Sequence, residues 1–193
     1  MVGHTTAGDE VIGVADLKGE LWSRLRDARA TMMARTDALS EYDLRRPMTS
    51  TGTNLLGLVK HLAGEEYGYL GQVFNRAPAR PPTWFRDDPA TEIDMWATPD
   101  ESSGYIIDTY RQAAGHADET IRLLELDSPG VVPHWAHQRT TLGSMLVLMV
   151  GETAQHAGHA DIVRELIDGT AAPMLEAKIN QRSQVQTVAD QFR

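Results

Sequence analysis

The 193-residue sequence contains no cysteine. That absence excludes a disulfide framework, a thiolate metal site and an internal sulfur nucleophile. Basic charge is also scarce, with 18 Lys and Arg against 27 Asp and Glu and a formal net charge of -9. So acidic a chain lacks the basic footprint that releases counterions from nucleic acid or docks on an anionic bilayer. Long apolar runs are missing too: the longest, Met145 to Val150, falls far below the roughly 18 residues of a spanning helix. Met1 to Val14 shows neither a basic n-region nor an apolar h-region, so no signal peptide and a cytoplasmic location are expected. What is present is ordinary globular material, 41% hydrophobic and 23% charged, enough for one domain with a proper core. Any metal in such a chain binds through nitrogen and oxygen, for which seven histidines are at hand. Any thiol chemistry must use a thiol from outside.

Leu17, Leu21, Leu25, Ala28 and Met32 recur at steps of three and four, which predicts a first amphipathic helix over about Asp16 to Leu39. Arg46-Pro47 ends the following turn. The hydroxyls of Ser50, Thr51 and Thr53 then precede Leu55, Leu58, Val59, Leu62, Tyr69 and Val73, the stripe of a second helix from about Asn54 to Phe74. From Asn75 to Trp96 the period vanishes, and four prolines with Trp84, Phe85 and Trp96 make a long loop whose aromatics are expected to cover the bundle. Thr98-Pro99-Asp100-Glu101 reads as a capping box with Pro99 at the first helical position, opening a third helix to about Glu125. A break at Ser128-Pro129-Gly130 precedes the fourth and longest helix, Leu142 to Gly169. The expected fold class is all-α, a four-helix bundle with a long crossover loop between its second and third helices and no strand. Residues 1–15 read as an N-terminal tail, 16–169 as the bundle and 170–193 as a C-terminal extension with a weakly amphipathic helix near Glu176 to Gln191.

The fourth helix carries the chemistry. At about 100° per residue, Glu152, His156 and His159 fall within roughly 60° of one another, and their stripe overlaps the core stripe of Met145, Met149 and Val163. An inward carboxylate and imidazole cost several kcal/mol unless paired, on the order of the penalty for any buried polar group. Two readings fit the spacing: a Glu to His hydrogen bond at i, i+4, or a metal site completed from another helix. For the second, His61 on the edge of the second helix's apolar stripe offers a nitrogen. Three protein ligands with open positions is the pattern of a catalytic rather than a closed structural zinc site. Paired Glu-x-x-His repeats of di-iron bundles are absent, as are Gly-rich nucleotide loops.

Thr53-Asn54-Leu55-Leu56-Gly57-Leu58-Val59-Lys60-His61-Leu62, Asp87-Asp88-Pro89 and the run from Gly151-Glu152-Thr153-Ala154-Gln155-His156-Ala157-Gly158-His159 to Gly169 together resemble the DinB/YfiT-like superfamily, and within it the actinobacterial branch of mycothiol-dependent enzymes. The resemblance implies a DinB-like bundle that binds one divalent metal, zinc or nickel, through His61, Glu152 and His156. Glutamate at 152, where many relatives carry histidine, is similar to maleylpyruvate isomerase and the mycothiol S-transferases of that branch. The implied activity is a metal-dependent thiol transferase or isomerase, with mycothiol as thiol cosubstrate and a detoxification role. His159, beside the ligands, is the catalytic candidate, orienting a ligand or moving a proton. The branch frequently carries arginine, histidine, an acid and arginine where this chain has Gly143, Leu148, Gly151 and Gln155. Charged contacts to an anionic substrate are therefore not carried over.

Two further classes stay open: a non-catalytic metal- or ligand-binding stress-response bundle, and a metal-dependent hydrolase with Glu65 or Glu66 as base. The expected partners are a small-molecule thiol and an electrophile, with neither nucleic acid nor membrane. Apolar edges on the first and third helices are compatible with a homodimer. His116 reads as a packing residue, His134 and His137 as members of a solvated loop around Trp135, and Arg45 and Arg46 as a solvated turn.

Overall fold

A computed structural model describes residues 16–85, 93–169 and 182–192. Each long helix begins where a polar side chain satisfies the otherwise orphaned first-turn amides. Asp16 accepts from Gly19 N at the head of α1 (Leu17–Ala34), and Asn54 accepts from Gly57 N at the head of α3 (Leu55–Tyr69). Ser102 accepts from Tyr105 N before α4 (Ser103–Leu123), and Thr141 accepts from Ser144 N before α5 (Leu142–Asp168). Gly169, in the left-handed conformation at φ 74°, closes α5 as its position predicts. A last short helix, α6 (Arg182–Ala189), matches the predicted tail helix in part. The rest of that expectation, the N-terminal tail and Asp87-Asp88-Pro89 lie outside the described residues.

The all-α bundle expected from periodicity is the observed architecture. α1 packs along α5, α3 along α4, and α3 against α5. Leu55, Leu56, Leu58, Val59 and Leu62 of α3 are at most 1% exposed, so this helix is the centre of the molecule and its His61 stripe faces another helix rather than water. On α5 the predicted core stripe of Met145, Met149, Thr153, His156, Ala160 and Val163 is buried throughout.

Several boundaries differ from the sequence reading. α1 stops at Ala34, and the chain turns through Ala38, at a positive φ of 58°. Ser40 caps a five-residue helix, α2 (Glu41–Arg45), too short to show a period. The second long helix ends at Tyr69 and gives way to a 3₁₀ turn, Gln72–Phe74. Half of the capping box at Thr98 forms, with Thr98 N donating to the Glu101 carboxylate at 2.8 Å, but Glu101 N donates to the Thr98 carbonyl and the pair closes a turn and not a helix. Ser102 is extended at ψ 154°, and α4 starts one residue later. The break at Pro129 is a two-stranded hairpin, β1 (Pro129–Val131) with β2 (Arg139–Thr141), against the expectation of no strand. Gly130 lies so close to Val73 and Phe74 that a β-carbon would sit 2.6 Å from Val73 Cγ1. The hairpin thereby packs on the 3₁₀ turn and leads directly into α5.

Arg45 and Arg46 are not a solvated turn. Arg45 pairs with Glu41 and donates to the carbonyls of Ala97, Thr98 and Glu101, and Arg46 pairs with Asp43 and reaches Ile167 O. Of the loop aromatics, Trp84 is buried and Phe85 packs on the core, whereas Trp96 is half exposed.

Candidate metal centre

His61 projects from α3 and Glu152 and His156 from α5, and the three meet between the helices. Glu152 Oε1 lies 2.9 Å from His156 Nε2 and 3.4 Å from His61 Nε2. One ligand atom from each lies within 4.8 Å of the others. The i, i+4 hydrogen bond and the three-residue cluster, alternatives in the sequence, coexist around a single carboxylate oxygen. Donors around a tetrahedral zinc stand about 3.3 Å apart, and the two contacts to Glu152 bracket that spacing. Two imidazoles and one carboxylate suit a transition metal of the zinc, copper, iron or nickel kind rather than calcium or magnesium.

The imidazoles are held differently. His61 Nδ1 is 2.8 Å from Asp94 Oδ2. Burial alone lowers the His61 pKa, but Asp94, Glu65 and Glu152 outweigh it and the net shift is upward. His156 moves the other way, because burial and the neighbouring His61 favour its neutral form over the pull of Glu152. A neutral ring is the form that ligates metal. His159 does not join the triad: its Nδ1 is 3.4 Å from His156 Nδ1, on the side of that ring turned away from Glu152.

Glu65, one turn beyond His61, is within electrostatic reach of His61, Glu152 and Asp94. Its carboxyl is pushed up to about 7, chiefly by burial and also by Glu152 and Asp94, against the opposing pull of His61. Glu66 is excluded as a base. It is fully buried and gripped through both oxygens by Arg29, at 2.6 and 2.7 Å. One turn beyond Glu65, Tyr69 carries the rings of His134 and Trp135 at 6.4 and 5.8 Å. Burial, Glu65 and Glu152 raise the Tyr69 pKa, against a hydrogen bond with Trp135 that lowers it. His116 packs on Tyr67 and bonds Arg76 O, as a packing residue should.

Sequence reasoning missed Asp94 and the neighbour of His61, Lys60. Asp94 lies in an aperiodic loop and carries no local signal. Lys60 offered one, being a lysine within an apolar stripe; it is fully buried and reaches Glu101 Oε2 at 2.8 Å and Trp96 O at 3.0 Å.

Four long helices with a His/Glu/His cluster between α3 and α5 make an all-α bundle, the fold that the DinB-like resemblance implies. Within that class, the model of the mycothiol-S-transferase family matches residues 20–169, and the chain belongs to this family. A crystal structure of a "conserved protein of locus" from Enterococcus faecalis is similar in fold, with a TM-score of 0.59 at 13% identity over 80% of this chain and 98% of that one. Among curated proteins none matches.

Proposed function

We propose that this protein is a metal-dependent thiol transferase or isomerase, with mycothiol as its thiol cosubstrate and His61, Glu152 and His156 as its metal ligands. The observation that carries the reading is the meeting of two imidazole nitrogens and one carboxylate oxygen between facing helices, in a cysteine-free member of the mycothiol-S-transferase family. Bound there, a zinc-type ion would supply Lewis acidity, lowering the pKa of a thiol in its remaining position. The chain's residues do the rest. Three protein donors leave room for an exogenous group, which a fourth would close off. His159, against His156 Nδ1, holds that ring's Nε2 toward Glu152. The thiol proton goes to solvent. The sulfur then displaces a leaving group from an electrophilic carbon, forming a C–S bond as that group departs with its electron pair, or it adds to a conjugated double bond, which rotates as a single bond before the thiolate is expelled and the double bond re-forms. The partners in this reading are a small thiol and an electrophile in the cytoplasm, and neither nucleic acid nor membrane; among the described residues no helix is long and apolar enough to cross one.

Elemental analysis of purified protein, followed by a conjugation assay comparing mycothiol with glutathione, tests the reading. His61→Ala, Glu152→Ala and His156→Ala are expected to lose bound metal and thiol transfer together. Transfer that persists in metal-free variants overturns the mechanism. Glu65 gives the hydrolase reading its one supporting observation, a half-buried carboxyl within electrostatic reach of the cluster and pushed up to about 7. Turnover of esters or amides without any thiol would favour it.

A further inference from the structure

Five carbonyls of the segment before α4 are bound by side chains of the helices beneath it. Met95 O accepts from Asn54 Nδ2 at 3.3 Å, Trp96 O from Lys60 Nζ at 3.0 Å, and Ala97 O and Thr98 O from Arg45 at 3.2 and 3.1 Å. Glu101 O accepts from Arg45 as well, and the Glu101 carboxylate takes both Lys60 Nζ and Thr98 N at 2.8 Å. Close approach is possible because position 57 is glycine: a β-carbon there would lie 1.9 Å from Met95 O. Nothing in the packing of a bundle demands a buried lysine, and an ammonium removed from water costs several kcal/mol, roughly, unless its partners are good. Lys60 has two oxygen partners and the face of Trp84 at 5.2 Å, all in the crossover between α3 and α4. From this strapped segment Asp94 reaches the cluster, meeting His61 Nδ1 at 2.8 Å.

We infer that Asp94 is a positioning residue for the metal centre: it accepts the His61 Nδ1 proton, fixes the tautomer with a bare Nε2 toward Glu152 and His156, and is itself held in place by the Lys60 and Arg45 strap. The physical ground is that a histidine with both nitrogens free to protonate divides between tautomers, of which only one presents Nε2 to a ligand site. A carboxylate on Nδ1 removes that division and makes Nε2 more basic. The strap explains why the buried charge sits at 60, next to His61: it ties the loop to the same turn of α3 that carries the ligand. The inference rests on the proposed ligand role of His61.

The test uses the full-length chain stripped of metal, competed for zinc against a chromophoric chelator, for the wild type, Asp94→Ala, Asp94→Asn, Lys60→Met and His61→Ala. Side-chain ¹⁵N spectra of His61 are recorded above its titration range. Asp94→Ala should weaken zinc about 10- to 100-fold, the usual cost of losing such a partner, and Asp94→Asn, which keeps an acceptor oxygen without the charge, should weaken it less. Lys60→Met, with Asp94 intact, should also weaken zinc, provided its circular dichroism matches the wild type. The spectra should show a proton on Nδ1 alone in the wild type and a mixture in Asp94→Ala, a change that a merely structural role does not produce. An Asp94→Ala protein with zinc affinity within twofold of wild type, or with an unchanged His61 tautomer, overturns the positioning role. A wild type that binds no zinc, or a His61→Ala variant that binds it equally well, overturns the metal reading and this inference with it.

Discussion

At the scale of single residues, the most demanding group is Glu66. It is completely buried on α3, and its carboxylate is matched by Arg29 of α1, whose guanidinium also reaches Asp118 of α4 at 2.6 Å. Burial pushes the Glu66 carboxyl up and, by itself, pulls Arg29 down; the bidentate grip and Asp118 reverse the latter, so Arg29 stays charged. Arg29→Met should destabilise the protein by about 3–5 kcal/mol, because a buried carboxylate loses its counter-charge. Urea denaturation at neutral pH reads that loss directly. Removing the charge on both sides, with Arg29→Met and Glu66→Gln together, should recover part of it. Glu65, the adjacent residue, has no such grip, which is why it and not Glu66 is free to face the cluster. The two glutamates are equivalent in the sequence and separated only by the helical rotation of one residue.

At the scale of elements, the missed α2 matters because it fastens the start of α4. The Glu41 carboxylate accepts from Ser103 N at 3.0 Å and Ser103 Oγ at 2.6 Å, at the positive end of the α4 dipole. Those bonds, the Ser103 hydroxyl first, then Arg45 and the Ser103 amide, hold its pKa down at about 2. A depressed carboxylate stabilises the fold above its unfolded value of 4.5 and ceases to do so as pH falls toward 2. Glu41→Gln should therefore cost about 0.5–1 kcal/mol at pH 7, kept small by solvent screening. The difference from wild type should vanish near pH 2, a convergence that thermal melts across pH would show. Helix existence was legible here, since the stripes of α3 and α5 run unbroken for several turns. Starts were legible where the apolar period began beside a polar residue, at Asp16 and Asn54, and misplaced where two caps competed. Thr98 and Ser102 both offer caps four residues apart, and the buried Lys60 to Glu101 pair decides between them by keeping the first as a turn.

At the scale of the whole molecule, the cluster is a seam and not a keystone. Fully buried leucines line α3 on both sides of His61, and two apolar clusters together with the Arg29–Glu66 pair hold the bundle without help from the His/Glu/His groups. Chelation should accordingly leave helical content unchanged. Zinc at a thousandfold excess over its Kd should add about 4 kcal/mol, a Tm rise of roughly 8–16 °C for a chain of this size. The rise should disappear in His156→Ala. Differential scanning calorimetry with and without metal makes the measurement, and an equal rise in the variant would place zinc elsewhere.

The sequence by itself determined the helices and their inward faces, because a 3.6-residue period is a local property that each segment states alone. It also placed Glu152 and His156 on one stripe and excluded a thiolate site. Tertiary structure decided what meets what. That His61 shares an oxygen with His156, that Asp94 holds its far nitrogen, and that Lys60 straps the loop follow from segments 33 to 91 residues apart. No local pattern records such a distance; burial of the apolar faces chooses the packing, and the polar groups brought together must then satisfy one another.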